Sequence, residues 1–343
     1  PNRVFFSKRY VRLRFFLTML ALLTPYTFAD SDVTLTQPIT AYNRSPLLSS
    51  FLIMPNPQRQ NAEPDTWALS VEADLSNYLS YYDTGKETYY TDGETLFVTS
   101  TVSYTLKNKL QLSAELPWIH HGGGVLDRAI YNYHDMLSLP QNGRIENVND
   151  RLDIQYRYEN QLLVNLKQTS SGIGDIRLHL EHAGDANETL RLSIKLPTGD
   201  ADELTGTGSS DIAMSYLSAN PSWFSERTWL KDVPLTLWYN AALSLLGEHE
   251  LLTSLERKPL VISGQLGSAW QLNRHHQLKL QLDGHSPLYE SDVRELGWAP
   301  LIASFAYEYH VNKAQRFNAR ISEDLRPRVT PDVSLAIQFV HGF

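Results

Sequence analysis

From Trp67 onward the chain alternates apolar and polar residues with a period of two. Trp67, Leu69, Val71, Ala73 and Leu75 fall on one face, and Ala68, Ser70, Glu72, Asp74 and Ser76 on the other. This is the signature of a strand covered by an apolar environment on one side only. The same period returns in Leu110, Leu112, Ala114, Leu116 and Trp118 against Gln111, Ser113 and Glu115. It returns again in Leu190, Leu192, Ile194 and Leu196 against Thr189, Arg191, Ser193 and Lys195. Leu278, Leu280 and Leu282 oppose Gln277, Lys279, Gln281 and Asp283. Along the whole chain the pattern predicts twelve strands, near 67–75, 96–106, 110–118, 176–180, 190–196, 212–216, 235–245, 259–270, 276–283, 299–310, 315–323 and 332–343.

The links between these strands alternate in length. Residues 107–109, 184–187, 271–275 and 311–314 are short, whereas 80–93, 119–150, 197–208, 246–258, 284–297 and 324–331 are long. Bacterial barrels pair short periplasmic turns with long outer loops in this way, and an even strand number returns both ends of the barrel to one side. One link breaks the rule: residues 218–233 fall where a tight turn is expected, so either that turn is extended or the register is displaced there. A hairpin around Glu159-Asn160 reads as standing above the membrane; counted into the wall, it would make fourteen strands. The expected fold class is therefore all-β, a transmembrane antiparallel β-barrel of the bacterial outer membrane with about 12 strands over 66–343. A soluble β-sandwich is disfavoured, because the apolar faces stay aliphatic through nearly every strand while the opposite faces carry charge. On the barrel reading, a new charge is rejected at Leu192 or Leu280, which face lipid, and is milder at Ser193, which faces the lumen.

Ahead of the barrel the chain changes character twice. Arg3, Lys8, Arg9, Arg12 and Arg14 precede an apolar run over 15–23, and Thr27-Phe28-Ala29 offers small residues at the two positions a signal peptidase reads. Residues 1–29 are expected to be a leader removed after Ala29; its apolar run is too short to span a bilayer. Residues 30–65 hold Pro38, Pro46, Pro55, Pro57 and Pro64 and show no clear period. They read as a periplasmic N-terminal segment or a plug, whose pieces at 55–60 could sit in the barrel foot or fold inward and whose apolar stretch 46–53 could close the periplasmic opening. Loss of the leader takes five basic residues with it, leaving 25 Lys+Arg against 38 Asp+Glu and a net charge of −13 in place of −8. That balance argues against nucleic acid as a partner. There is no cysteine, hence no disulfide framework despite the expected export. No run of about 20 apolar residues follows the leader, which excludes a helical membrane protein. The 18 Tyr and 7 Trp suit the aromatic belts of a barrel.

Loop 119–150 departs from a plain porin. Gly122, Gly123 and Gly124 lead into Leu126, Ile130, Tyr133 and Leu137 at helical spacing. This predicts a short helix, either a lid over the mouth or, more simply, packing on the rim. There is also an internal echo. Leu116-Pro117 precedes a loop that re-enters through Gly174-Asp175-Ile176, and Leu196-Pro197 precedes one that re-enters through Gly208-Ser209-Ser210-Asp211-Ile212.

The LPTGD segment at 196–200, the glycine–aspartate strand starts and the stretch 122–143 resemble the proteobacterial outer-membrane family known as domain-of-unknown-function family 3187. The chain is more distantly similar to the phenol-degradation meta-pathway family of barrels. The resemblance implies fold and location, with no substrate and no catalytic residues. The last strand places Val333, Leu335, Ile337, Phe339 and Phe343 on one face. It resembles the final strand of outer-membrane barrels, in which an aromatic end is the assembly signal. Phe343 is accordingly the candidate signal to the barrel-assembly machinery, with outer-membrane lipid as the other partner.

Charges on the inward faces are mixed in sign: Glu72, Asp74, Glu115, Asp175, Arg177, Arg191, Lys195, Asp211, Lys279, Asp283, Glu308 and Arg320. In a lumen this narrow they are expected to pair with one another, or else to line a polar passage that selects by charge. The functional classes left are a passive channel or transporter for a small solute, a closed barrel of structural or assembly role, and, least favoured, a hydrolase. A hydrolase needs Ser, His and an acid converging at one level. His120, His121, His179, Ser209 and Ser210 show no nucleophile motif and no metal-ligand spacing, so no catalytic residue, metal or cofactor is expected.

Overall fold

The computed structural model describes residues 36–58, 63–107, 109–128, 132, 150–184, 187–220, 234–249 and 251–343. In chain order its strands are β1 (Thr66–Asp83), β2 (Glu87–Thr105), β3 (Leu110–Gly122), β4 (Asp153–Tyr158), β5 (Gln161–Leu166), β6 (Ser170–Ile173), β7 (Arg177–Ala183) and β8 (Glu188–Lys195). They continue with β9 (Asp211–Ala219), β10 (Leu235–Leu246), β11 (Leu260–Gln271), β12 (His276–His285), β13 (Leu301–His310), β14 (Gln315–Asp324) and β15 (Val333–Gly342), with a one-turn helix, α1 (Arg294–Gly297), before β13. Twelve of the strands form a closed antiparallel wall in the order β1, β2, β3, β7 and on through β15. β1 closes it against β15, from Ala68 opposite Gly342 to Asn77 opposite Val333. No described helix is long and apolar enough to cross a membrane; the crossing is made by strands.

The alternation places side chains as a barrel in lipid requires. Leu190, Leu192 and Ile194 on β8 are 42–46% exposed, while Arg191, Ser193 and Lys195 between them are buried. At the end that carries Thr66 and Phe343, aromatic pairs ring the outside: Trp67 on Tyr104, Phe317 on Phe339 and Tyr216 near Tyr239. Such a girdle belongs at a membrane interface.

Several expectations are adjusted. Residues 80–93 are not a long loop. β1 and β2 continue beyond the barrel, and only residues 84–86 lie between them. Tyr81 opposes Tyr90 edge-on and Tyr82 stacks on Tyr89, so paired rings accompany the ladder past the wall. β4 and β5, the hairpin expected above the membrane, add to this extension along Glu87–Asp92 of β2 and stay outside the wall. Gly93 marks the handover of β2 from β3 to β4; its φ is +152°, and a Cβ there would lie 2.9 Å from the Gly122 carbonyl oxygen. β3 runs to Gly122, so residues 119–122 belong to the wall. The helix expected after them lies largely outside the described residues, as do the leader and residues 221–233 of the long turn. β9 and β10 nevertheless pair from Trp238 opposite Ala219 to Leu246 opposite Asp211, so the register there is not displaced.

Residues 36–58 do not lie beneath the barrel. They run up its inside and back. Near the periplasmic end Thr36 accepts a hydrogen bond from Gln277, and the Ile39 amide donates to Gln281. Farther along, Asn43 meets His285 and Ser45 donates to Glu295 of α1. On the return the Leu52 amide donates to Asp211, the Ile53 carbonyl accepts from Ser244, and the Gln58 amide donates to Glu181. The apolar stretch turns at the outer end, where Leu47, Leu48, Phe51 and Met54 pack with Leu204, Leu252, Leu288, Val293 and Leu296 of the outer loops. It covers the end opposite to the one expected, because those loops offer the only large apolar cluster among the described residues.

Candidate functional site

The candidate site is the lumen itself. β-strand alternation turns every second side chain inward, and all twelve inward charges named from the sequence are buried. Eleven of them gather into four groups. On β1 and β14, Arg320 lies 2.7 Å from Asp74 and 3.5 Å from Glu72. On β3, β7 and β8, Glu115 is 3.1 Å from His179, 3.9 Å from Arg177 and 4.0 Å from Arg191, while Arg191 donates to Glu181 at 2.6 Å. Lys195 sits between Asp175 and Asp211, at 2.6 and 3.5 Å. Lys279 and Glu308 pair at 2.8 Å, with His310 and Arg316 at 2.9 and 3.7 Å from the same carboxylate. Asp283 stands apart; it accepts from Gln281 at 2.8 Å, and its second oxygen has no hydrogen-bond partner.

The wall arginines also reach the segment that fills the lumen. Arg177 donates to the Ser49 carbonyl at 3.4 Å, Arg191 to Pro55 at 2.5 Å, and Arg320 to Thr40. Carbonyl groups of an unpaired strand need donors when buried, and the guanidinium forks supply them. Between wall and segment lies a cavity of about 10 Å³ lined by Arg44, Ser49, Ser50, Phe97, Glu115 and Arg177, among others. That is room for about one water molecule.

Four participants escaped the sequence reading: Glu181, Arg44, and His310 and Arg316 beside Glu308. Glu181 lies on an inward face that was recognised, but it was not singled out. Arg44 is the only charged residue of 36–58; this isolation, next to Tyr42 in a proline-rich stretch, was its one signal. Its Nε donates to Asp74 at 2.8 Å, and its guanidinium lies over Phe97 at 3.9 Å and Tyr42 at 4.1 Å.

The hydrolase candidates do not converge. His120 points outward, stacked on Trp118. His121 is tied to Thr95 and the Leu204 carbonyl. Ser209 belongs to the Lys195 group, and Ser210 is exposed. One chain has the order hydroxyl, imidazole, carboxylate: Ser193 Oγ to His179 Nδ1 at 2.8 Å, then His179 Nε2 to Glu115 at 3.1 Å. Ser193 is wholly buried, so a substrate has no approach to it. Among the described residues no group of three His, Asp or Glu is placed to hold a metal ion.

The outer loops are tied down by titratable groups. Glu295 of α1 accepts from Ser45 Oγ and Tyr89 OH, each at 2.7 Å. Burial pushes its carboxyl above the usual range, against the pull of the hydrogen bonds from Ser80, Tyr89 and Ser45. His249 stacks edge-on against Phe51 at 5.0 Å and meets Tyr289 OH at 3.0 Å. Burial, with Arg257 nearby, lowers its pKa to about 4, so the ring is neutral at neutral pH.

Comparison with known proteins agrees with this architecture. The family model described as protein of unknown function (DUF3187) matches residues 17–343. No curated protein matches the sequence. Among solved structures, an outer membrane channel from Pseudomonas putida F1 superposes with a TM-score of 0.52 at 12% identity, covering 83% of this chain and 98% of that one. The toluene transporter TbuX from Ralstonia pickettii gives a TM-score of 0.40 at 9% identity, over 82% of this chain and 90% of that one. At such identities the likeness is one of fold.

Proposed function

We propose that this chain, which belongs to the DUF3187 family of proteins of unknown function, is an outer-membrane channel for a small solute, held closed by its own residues 36–58. The observation that carries the reading is the chemistry of the wall. Nearly every strand turns polar or charged side chains inward, and what fills the space is a single chain segment, held along the wall by hydrogen bonds and at its outer turn by an apolar cluster. Buried ion pairs are weak as a source of stability, and a barrel meant to stay shut would gain as much or more from apolar side chains of similar volume. A polar lining is what a passage needs. The Pseudomonas putida F1 protein that shares the fold is described as an outer membrane channel. Export by the leader, with the mature chain starting near Asp30, belongs to this reading, as does delivery to the assembly machinery.

The second reading is a closed barrel without conductance. The mutual pairing of the lumen charges favours it, since charges that satisfy one another leave little to attract a solute. Planar-bilayer recording decides between them. The intact protein is compared with a chain lacking 36–58, folding of each being verified by heat-modifiable migration. Steps that appear or widen on deletion support the channel. Silence from both folded proteins rejects it.

A further inference from the structure

The segment that fills the lumen carries one charge, and the wall receives it in a dedicated place. Glu72 and Asp74 lie two residues apart on β1 and so share a face. Arg44 donates to Asp74 at 2.8 Å and lies 4.0 Å from Glu72. Its guanidinium carbon is 3.9 Å above the centre of the Phe97 ring, contributed by β2. A planar cation between two carboxylates and an aromatic face gains both the ionic and the quadrupole attraction. From the wall, Arg320 touches both carboxylates but brings one positive charge against their two negative ones. The second negative charge is matched by Arg44. The same imbalance holds for the whole wall: among the described residues, and leaving out the β1–β2 extension, the twelve barrel strands bury nine acidic side chains and five Lys or Arg.

The fit is also not saturated. Arg44 Nη2 and Asp74 Oδ1, both buried, have no hydrogen-bond partner, and Arg44 borders the 10 Å³ cavity beside Phe97. A group whose donors are only partly used exchanges for a better-fitting one at a smaller cost.

Resting on the channel reading above, we propose that Glu72, Asp74 and Phe97 bind the cationic group of the solute, a guanidinium or a small alkylammonium, and that Arg44 stands in for that solute when the lumen is closed. Segment and solute then compete for the same carboxylates. A cationic solute entering the lumen displaces Arg44 and loosens one of the attachments that hold residues 36–58 in place.

Chemical rescue tests the site without depending on conductance. In the full chain, Arg44→Ala should lower the temperature at which the folded barrel unfolds. Millimolar methylguanidinium should restore at least half of that loss, and sodium at the same ionic strength should not. Adding Asp74→Asn should abolish the rescue. No rescue by methylguanidinium, or a rescue indifferent to Asp74→Asn, overturns the proposal. Should Arg44→Ala not assemble, Arg44→Gln keeps part of the stem and an uncharged amide donor and answers the same question. In bilayers, methylguanidinium should raise the open probability of the intact protein, and the current should favour cations; a preference for anions overturns the proposal. Rescue without conductance under any condition would keep the cation site and refute the channel.

Discussion

Lys195 Nζ lies 2.6 Å from Asp175 Oδ2, and neither side chain reaches solvent. The second carboxylate, Asp211, is 3.5 Å away, and Thr207 Oγ1 and the Ser209 carbonyl take the remaining donors. The two aspartates are those of the internal echo, so the repeated strand starts converge on one lysine. Breaking a buried pair from one side costs about 3–5 kcal/mol, because it strands an uncompensated charge. Lys195→Met should therefore destabilise the barrel by about that amount in urea unfolding from liposomes. Combining it with Asp175→Asn and Asp211→Asn should recover most of the loss. A triple variant as unstable as the single one would mean that Lys195 acts by packing rather than by charge.

Leu192 and Ser193 test which side of β8 faces lipid. Arg at Leu192, which is 46% exposed on the outer face, should cost about 2–4 kcal/mol near the bilayer midplane. The sequence reading expected the same change to be milder at Ser193. The structure reverses that expectation, because Ser193 is wholly buried against His179 in a lumen already filled by 36–58. Ser193→Arg should prevent folding, whereas Ser193→Ala should cost about 1 kcal/mol, the worth of one hydrogen bond. Folded Ser193→Arg protein with normal heat-modifiability would show the lumen to be open at that level.

These residues also show what a sequence can disclose. Leu190, Arg191, Leu192, Ser193, Ile194 and Lys195 announce a one-sided strand, since period two is a local property and lipid on one face enforces it. The twelve strands, their short turns and the inward position of the charges were legible for that reason. The β1–β2 extension was not: Tyr81, Tyr82, Tyr89 and Tyr90 have no apolar–polar contrast, and their ladder depends on β4, more than sixty residues on. The path of 36–58 was hidden more deeply. Asn43 and His285 are 242 positions apart, and a proline-rich segment carries no period that could point to its partners. Arg44 could be found only by asking why an otherwise uncharged stretch keeps one cation.

Phe343 should matter for assembly more than for the finished barrel. Its amide and carbonyl close the wall against Trp67, each at 2.9 Å, but its side chain is 66% exposed on the lipid side. Phe343→Ser keeps both backbone bonds. Assembled protein in the outer membrane should fall, while the barrel that does form should unfold in urea almost as the parent does. Equal losses in yield and in unfolding midpoint would assign Phe343 to the fold and remove its role as a signal.

Glu295 should make the outer end of the closed lumen sensitive to pH. Its carboxyl binds Ser45, close to the turn of the filling segment, and Tyr89 on the β2 extension. Burial raises its folded pKa above the unfolded value, and Asp332 adds to the shift. A carboxyl shifted upward is favoured in its neutral form when folded. Its contribution is therefore fully present in acid, below the unfolded pKa, and is lost as pH rises through the raised folded value. Glu295→Gln keeps an acceptor oxygen for Ser45 and Tyr89 and cannot ionise. At neutral pH it should be the more stable protein, and the gap to the parent should close as the solution is acidified. Unfolding midpoints of the two proteins across that pH range check this. Because the other buried carboxylates titrate alike in both proteins, the quantity to read is the difference between them. A parent that gains on Glu295→Gln as pH rises would show that the carboxylate is held in its charged form and that the hydrogen bonds outweigh burial.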